Sequence, residues 1–245
     1  MQRRLLLAML RGLHFMHSAN ISHRDIKPAN FLVSRNCSFL IGDLGHSRSE
    51  LHGGGGRSWP AYDSIPIGLY ARGGEAKRCL PPELISIRAV RSWHPSTEIW
   101  MAACAFLRLV RGRFLFFSSS ARLRAREVVK LFGTPPREAV RQYAQEVWQF
   151  FPEAIRRPAS PWRVFKGVDA RLVRVLQPML DLNPAARASA WEALQDPIFD
   201  GWRDTLTDAP RHIAREVEDL ATAANNTASL RQLLWDEVSR HQRSR

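Results

Sequence analysis

Cysteine is rare and does not pair by position. Cys37, Cys79 and Cys104 are an odd number with no Cys-x-x-Cys spacing, which excludes a disulfide framework and a zinc site and fits a reducing, intracellular compartment. Long apolar runs are absent as well. The longest, Ile99 to Leu107, stops at Arg108, far short of the roughly 20 residues of a membrane span, so a soluble protein with no membrane partner is expected. Lysine stands only at Lys27, Lys77, Lys130 and Lys166, and the formal charge of +13 therefore comes almost wholly from arginine. These arginines are spread through every segment instead of forming a tract, the pattern of a solvated basic surface, and nucleic acid is not expected as a partner. Repeats are missing, and low complexity is confined to Gly53–Gly56 and Ser118–Ser120.

What remains is a chain of 245 residues, 45% hydrophobic and 24% charged, enough for one sizeable core or one domain with an appendage. Its most informative stretch is His23-Arg24-Asp25-Ile26-Lys27-Pro28-Ala29-Asn30, followed by Asp43-Leu44-Gly45. Phosphoryl transfer needs a carboxylate to take a hydroxyl proton, a cation for the moving phosphate and hard oxygen ligands for magnesium. Asp25 offers the base, Lys27 the cation, and Asn30 and Asp43 the oxygen ligands. The segments Phe31-Leu32-Val33 and Phe39-Leu40-Ile41, separated by a turn at Arg35-Asn36, predict a loop, strand, turn, strand and second loop.

This stretch resembles the catalytic and metal-binding loops of protein kinases, and Lys27 resembles the serine/threonine class. Leu44 stands where the family usually has Phe and keeps an apolar plug. Upstream, Leu6, Met9, Leu10, Leu13 and Met16 fall at helical spacing, and the segment resembles the helix that leads into the catalytic loop of MAP kinases rather than a cleavable leader. Downstream, Pro81-Pro82-Glu83 resembles the family's Ala-Pro-Glu, which makes residues 43–83 the expected activation segment. Residues 97–111 predict an apolar helix through the middle of the large lobe, with Glu98 where the family has an Asp that braces the catalytic loop. Arg111-Gly112-Arg113-Phe114-Leu115-Phe116 and Lys130-Leu131-Phe132-Gly133-Thr134-Pro135-Pro136 are similar to stretches of the MAP kinase and cyclin-dependent kinase group. Residues 179–187 and the helix after them resemble the end of the large lobe, and by that likeness Arg187 forms a buried ion pair with Glu83.

The resemblance implies a mainly α fold: a kinase large lobe with a few short β-strands over residues 1–210, and a MAP-kinase-like helical tail over 211–245. It also implies ATP and Mg2+ as cofactors, protein Ser or Thr as substrate, and a cytoplasmic or nuclear location. His23, Arg24, Gly45, Glu83, Glu98 and Arg187 are the implied structural and regulatory residues. Asp204 and Asp208 resemble an acidic docking site for basic partner peptides. The family's glycine-rich loop, its strand Lys and the Glu paired with it do not occur ahead of the first helix, so residues 1–245 alone are expected to transfer phosphate near background unless a small lobe or activator is supplied in trans.

Several positions depart from the family pattern. The Thr-x-Tyr phosphorylation lip falls on Ala71-Arg72-Gly73, leaving Tyr70, Ser64 and Ser58 as phosphate acceptors that Arg24 would clamp. Ala76 replaces a Thr whose hydroxyl bonds the catalytic loop, and Cys79 and Leu80 replace a Tyr-Arg pair near the substrate pocket. Two function classes stay open on this reading: a MAP-kinase-like serine/threonine kinase, or a pseudokinase or kinase fragment that serves as a non-catalytic docking module.

Overall fold

A computed structural model describes residues 1–33, 39–49, 74–85, 93–118, 120–141, 143, 145–151 and 161–201. The fold is mostly helical. Helix α1 spans Gln2–Ser18 and buries Leu6, Met9, Leu10, Leu13 and Met16 along one stripe, the face that the 3.6-residue period selects. Two small antiparallel sheets follow. Strand β1 (Ile21–Ser22) pairs with β4 (Arg48–Ser49), and β2 (Phe31–Val33) pairs with β3 (Phe39–Ile41) in the register Phe31 opposite Ile41.

The middle of the molecule is α3 (Pro95–Arg111), reached after the short α2 (Glu75–Cys79) and a single helical turn at Pro82–Leu84. Its start is set by Pro95, whose missing N–H costs nothing at the first helical position, and by His94, whose Nδ1 accepts the Ser96 N–H at 3.1 Å. Its end is set by Gly112, which adopts φ +71°, a left-handed conformation that favours glycine. Every residue from Ser96 to Leu107 is buried. A helix apolar on all sides belongs inside a fold, and α1, α2 and α8 pack around this one.

The rest of the helical layer is α4 (Ala121–Phe132), α5 (Arg137–Arg141), α6 (Gln145–Trp148), α7 (Pro161–Val164), α8 (Ala170–Met179) and α9 (Ala190–Leu194). Ser189 caps α9: its hydroxyl accepts the Glu192 N–H at 3.1 Å while Glu192 returns a carboxylate to the Ser189 N–H at 2.7 Å, a reciprocal arrangement that satisfies two orphan donors. Trp100 of α3 forms a triangle of rings with Phe116 and Phe132, whose centroids are 6.3 Å and 5.3 Å from it and 6.4 Å from each other. Full burial of such side chains contributes about 1.5–3 kcal/mol each. Among the described residues no helix is long and apolar enough to cross a membrane.

Candidate active site

Residues 23–30 link the two small sheets: the chain passes from β1 through them into β2. Inside this passage Pro28–Asn30 form one tight turn, closed by the Asn30 N–H on the Lys27 carbonyl at 3.1 Å. Pairing of β2 with β3 then carries the ladder one step further: the Gly42 N–H donates to the Asn30 carbonyl at 2.8 Å. Asn30 and Asp43 are thereby held side by side, although thirteen positions separate them in sequence. A Cβ at Gly42 would stand 2.8 Å from the tip of the exposed Leu32 side chain, which would have to turn aside.

Asp25 is almost fully buried, and its two oxygens differ. Oδ2 accepts from Lys27 Nζ at 2.5 Å and from Asn30 Nδ2 at 3.1 Å. Oδ1 is buried with no hydrogen-bond partner among the described residues. A buried carboxylate oxygen left bare is costly; it is an open acceptor at the centre of the loop. Asn30 Nδ2 also donates to the Asp25 backbone carbonyl at 2.8 Å, which fixes the amide so that its own oxygen is the free atom. The Asp43 carboxylate is exposed beside it. Two hard oxygen donors with room for water suit magnesium, which keeps most of its hydration shell when bound.

Three supports hold the loop in place. His23 accepts the Asp25 N–H on Nδ1 at 3.2 Å and faces the Gly42 carbonyl with Nε2 at 3.0 Å; those partners require the neutral tautomer protonated on Nε2. Arg24 adopts φ +65°, a strained region for a residue with a side chain. Its N–H donates to Glu98 Oε1 at 2.6 Å and its Nε to the His46 carbonyl at 2.9 Å, so the neighbours define the conformation. Glu98 thus reaches the catalytic loop despite the extra methylene. The same carboxylate accepts the Trp93 indole N–H at 3.1 Å and meets His17 Nε2 at 2.8 Å. Burial opposes its ionisation, but the His17 and Arg24 contacts outweigh burial and hold the carboxyl below its ordinary value.

A third buried carboxylate is Glu83. Glu83 and Arg187 form a bidentate pair at 2.8 Å and 3.1 Å across 104 sequence positions. Arg187 also donates to the Ser96 and Asp181 carbonyls at 2.9 Å and 3.0 Å, and its guanidinium lies over the Trp100 ring at 5.2 Å. Asp43, like Arg24, has positive φ, at +62°, and leads into a turn over Leu44–His46. Gly45 sits there with its Cα close enough that a Cβ would touch the Asp43 carboxylate at 3.4 Å. Asp204, Asp208, the tail over 211–245, and Ser58, Ser64 and Tyr70 lie outside the described residues.

Residues 2–199 match the family model described as protein kinase domain. The chain belongs to the protein kinase family. Within it, the chain is similar to MAP kinases. Mitogen-activated protein kinase 9 of Arabidopsis thaliana is 32% identical over 199 residues, 80% of this chain and 37% of that relative. Mitogen-activated protein kinase Hog1 of Zymoseptoria tritici is 30% identical over 207 residues, 84% of this chain and 53% of its own length. Mitogen-activated protein kinase 12 of Oryza sativa is 27% identical over 237 residues, 95% of this chain. The chain thus spans between a third and about half of the length of these relatives.

Three residues of this kinase with clear local roles escape a reading of the sequence. His17 and Trp93 complete the Glu98 network from different segments, and nothing in their spacing marks them. Arg124 of α4 is the third. Buried against the Phe116 ring at 4.9 Å, it donates to the Lys77 and Arg78 carbonyls at 3.0 Å and 3.2 Å and so closes the C-terminal end of α2. Orphan carbonyls at a helix end attract such a cation. Its only sequence signal is an Arg on the otherwise apolar stripe of α4.

Proposed function

We propose that this kinase transfers the γ-phosphoryl group of MgATP to serine or threonine hydroxyls of proteins, in the cytoplasm or nucleus. One observation carries the reading: the Asp25 carboxylate has one oxygen pinned by Lys27 and Asn30 and the other buried and bare. A bare buried acceptor is what a substrate hydroxyl would fill. Asp25 Oδ1 would accept the hydroxyl hydrogen bond and then its proton, orienting the oxygen for in-line attack. Lys27, placed at the rim of the same carboxylate, puts a positive charge where a transferring phosphate would gather negative charge. Asn30 Oδ1 and the Asp43 carboxylate would hold Mg2+, which would supply positive charge to offset the negative charge of the phosphates. Exposed Leu32 and Leu40 on the adjoining hairpin offer an apolar surface for a base ring.

Partners are proposed on the same footing: protein substrates, and basic docking peptides at Asp204 and Asp208. The division into a large lobe over 1–210 and a tail over 211–245 is likewise proposed. A second reading, a non-catalytic docking module, draws support from Ala76, buried at 5% exposure with no hydroxyl to bond the catalytic loop. Lys27 meets Asp25 directly there.

The test is transfer of labelled phosphate to a generic basic protein, by residues 1–245 and by the same residues supplemented with a kinase small lobe. Asp25→Asn should cut any transfer by about 10²–10⁴-fold, and Asp43→Asn should raise the Mg2+ concentration required. Activity that survives Asp25→Asn, or a supplemented protein that stays inactive, would favour the docking-module reading.

A further inference from the structure

At the opposite end of α3 from the catalytic loop, a cavity of about 490 Å³ opens between the end of that helix, α4 and α7. Its size lies in the range of ligand pockets. Five cations surround it: Arg111 at the end of α3, Arg113 just beyond, Lys130 on α4, Arg163 on α7 and Lys166 after it. One carboxylate, Glu127, also lines the space. It is already engaged, by the Phe117 and Ser118 N–H groups at 3.2 Å and 3.3 Å and by Arg124 at 3.7 Å, and among the described residues no carboxylate forms an ion pair with Arg111, Arg113, Lys130 or Lys166. Arg111 Nη1 is buried and has no hydrogen-bond partner among the described residues. Burial, and then the neighbouring Arg113, pull its pKa below the usual guanidinium range.

Beneath the cations the surface is apolar. Phe114, Leu115 and Leu131 line it, with the Phe114 ring held by Arg78 and Arg108, each 5.1 Å from its centroid. Phe117 remains 56% exposed at the edge. Like charges gathered around a concavity cost energy unless an anion neutralises them, and an apolar floor adds a demand for an apolar group at the centre of that anion.

We propose that this pocket binds an acidic peptide segment of a partner protein, one apolar or aromatic residue flanked by carboxylates. The concave shape decides among anions. A protruding side chain reaches the floor while its neighbours meet the rim, whereas a flat layer of lipid headgroups meets only the rim. A nucleic acid strand needs a track of cations along its backbone, and these five encircle a single hollow. Arginine forks also match carboxylates two bonds at a time.

The experiment is fluorescence anisotropy of a labelled Asp-Glu-Phe-Asp-Glu peptide with the full chain at low salt. Lys130→Glu with Lys166→Glu should weaken binding at least about tenfold, and replacing the peptide's Phe by Ser should weaken it about tenfold. Arg4→Glu with Arg141→Glu, an equal charge change at two exposed residues outside the pocket lining, should leave affinity within about twofold. The proposal fails if that control pair weakens binding as much as the pocket pair, if the Ser peptide binds as well as the Phe peptide, or if a Lys-Arg-Phe-Lys-Arg peptide binds equally. It fails too if phosphatidylserine vesicles, and not the peptide, depend on the two lysines. Should the charge-reversed protein lose its cooperative melt, Arg113→Gln with Lys166→Gln reads the same outcome by removing charge alone.

Discussion

Helix α3 has two charged ends with opposite fates. At the amino-terminal end Glu98 is wholly buried, and its oxygens are taken up by the Arg24 N–H, the Trp93 indole and His17. Close by, the Ser96 carbonyl receives Arg187, which itself grips Glu83. At the carboxyl-terminal end Arg111, Arg113, Lys130 and Lys166 line an open hollow and, among the described residues, pair with no carboxylate. Both ends suit the helix macrodipole, acid first and base last. Saturation separates them: where every donor has met its acceptor a charge fixes backbone, and where charge is left over it can serve recognition.

The sharpest way to break this contrast is to remove a saturated partner. Arg187→Ala, which strands Glu83, and Glu98→Ala, which strands the Arg24 N–H and the Trp93 indole, should each lose about 3–5 kcal/mol in urea unfolding. A loss below about 1 kcal/mol from either would mean the network does not hold the fold. Glu98→Asp refines the point. The shorter acid can keep Arg24 or His17 but not both without movement, and should cost about 1–2 kcal/mol.

Acid should act on the same end. Because the Glu98 carboxyl titrates below its ordinary 4.5 in the folded state, its contribution is complete above that value and is lost as pH falls through the lowered one. Wild type should therefore lose stability below pH 4.5 more steeply than Glu98→Gln; parallel curves would remove the argument. At the other end, Lys130→Gln and Lys166→Gln should change stability by no more than about 0.5 kcal/mol, since both side chains are exposed. The smallest effect belongs to the core around α3. Burial pushes the Cys79 thiol up to about 12 and Cys104 well above its ordinary value, so neither should be alkylated at pH 8 in the folded protein, as peptide mapping would show.

Much of the catalytic loop was legible because it is local. Asp25, Lys27 and Asn30 lie within six positions, a tight turn fixes their relation, and two short apolar segments around a turn already announce the hairpin that brings Asp43 alongside. The stripe of α1 and the uninterrupted apolar run of α3 were readable for the same reason: hydrophobic period and length are written in consecutive residues. Three elements gave no such notice. Strands β1 and β4 are two residues each, too short for a period, and α2 is a five-residue helix whose end depends on Arg124 from a distant segment.

Charge shows the division most clearly. The sequence determined that the protein is strongly basic and that Asp25, Lys27 and Asn30 would lie within reach of one another, because residue types and short spacings carry that information without reference to the rest of the chain. It read the arginines as scattered. Only the tertiary structure decided which of them meet: Arg187 was brought to Glu83 and buried, Arg124 was turned onto two carbonyls, and Arg111, Arg113 and Arg163 were gathered around a hollow with Lys130 and Lys166. Coulomb energy depends on distance in space and on the local dielectric, and neither quantity exists along a chain until it has folded.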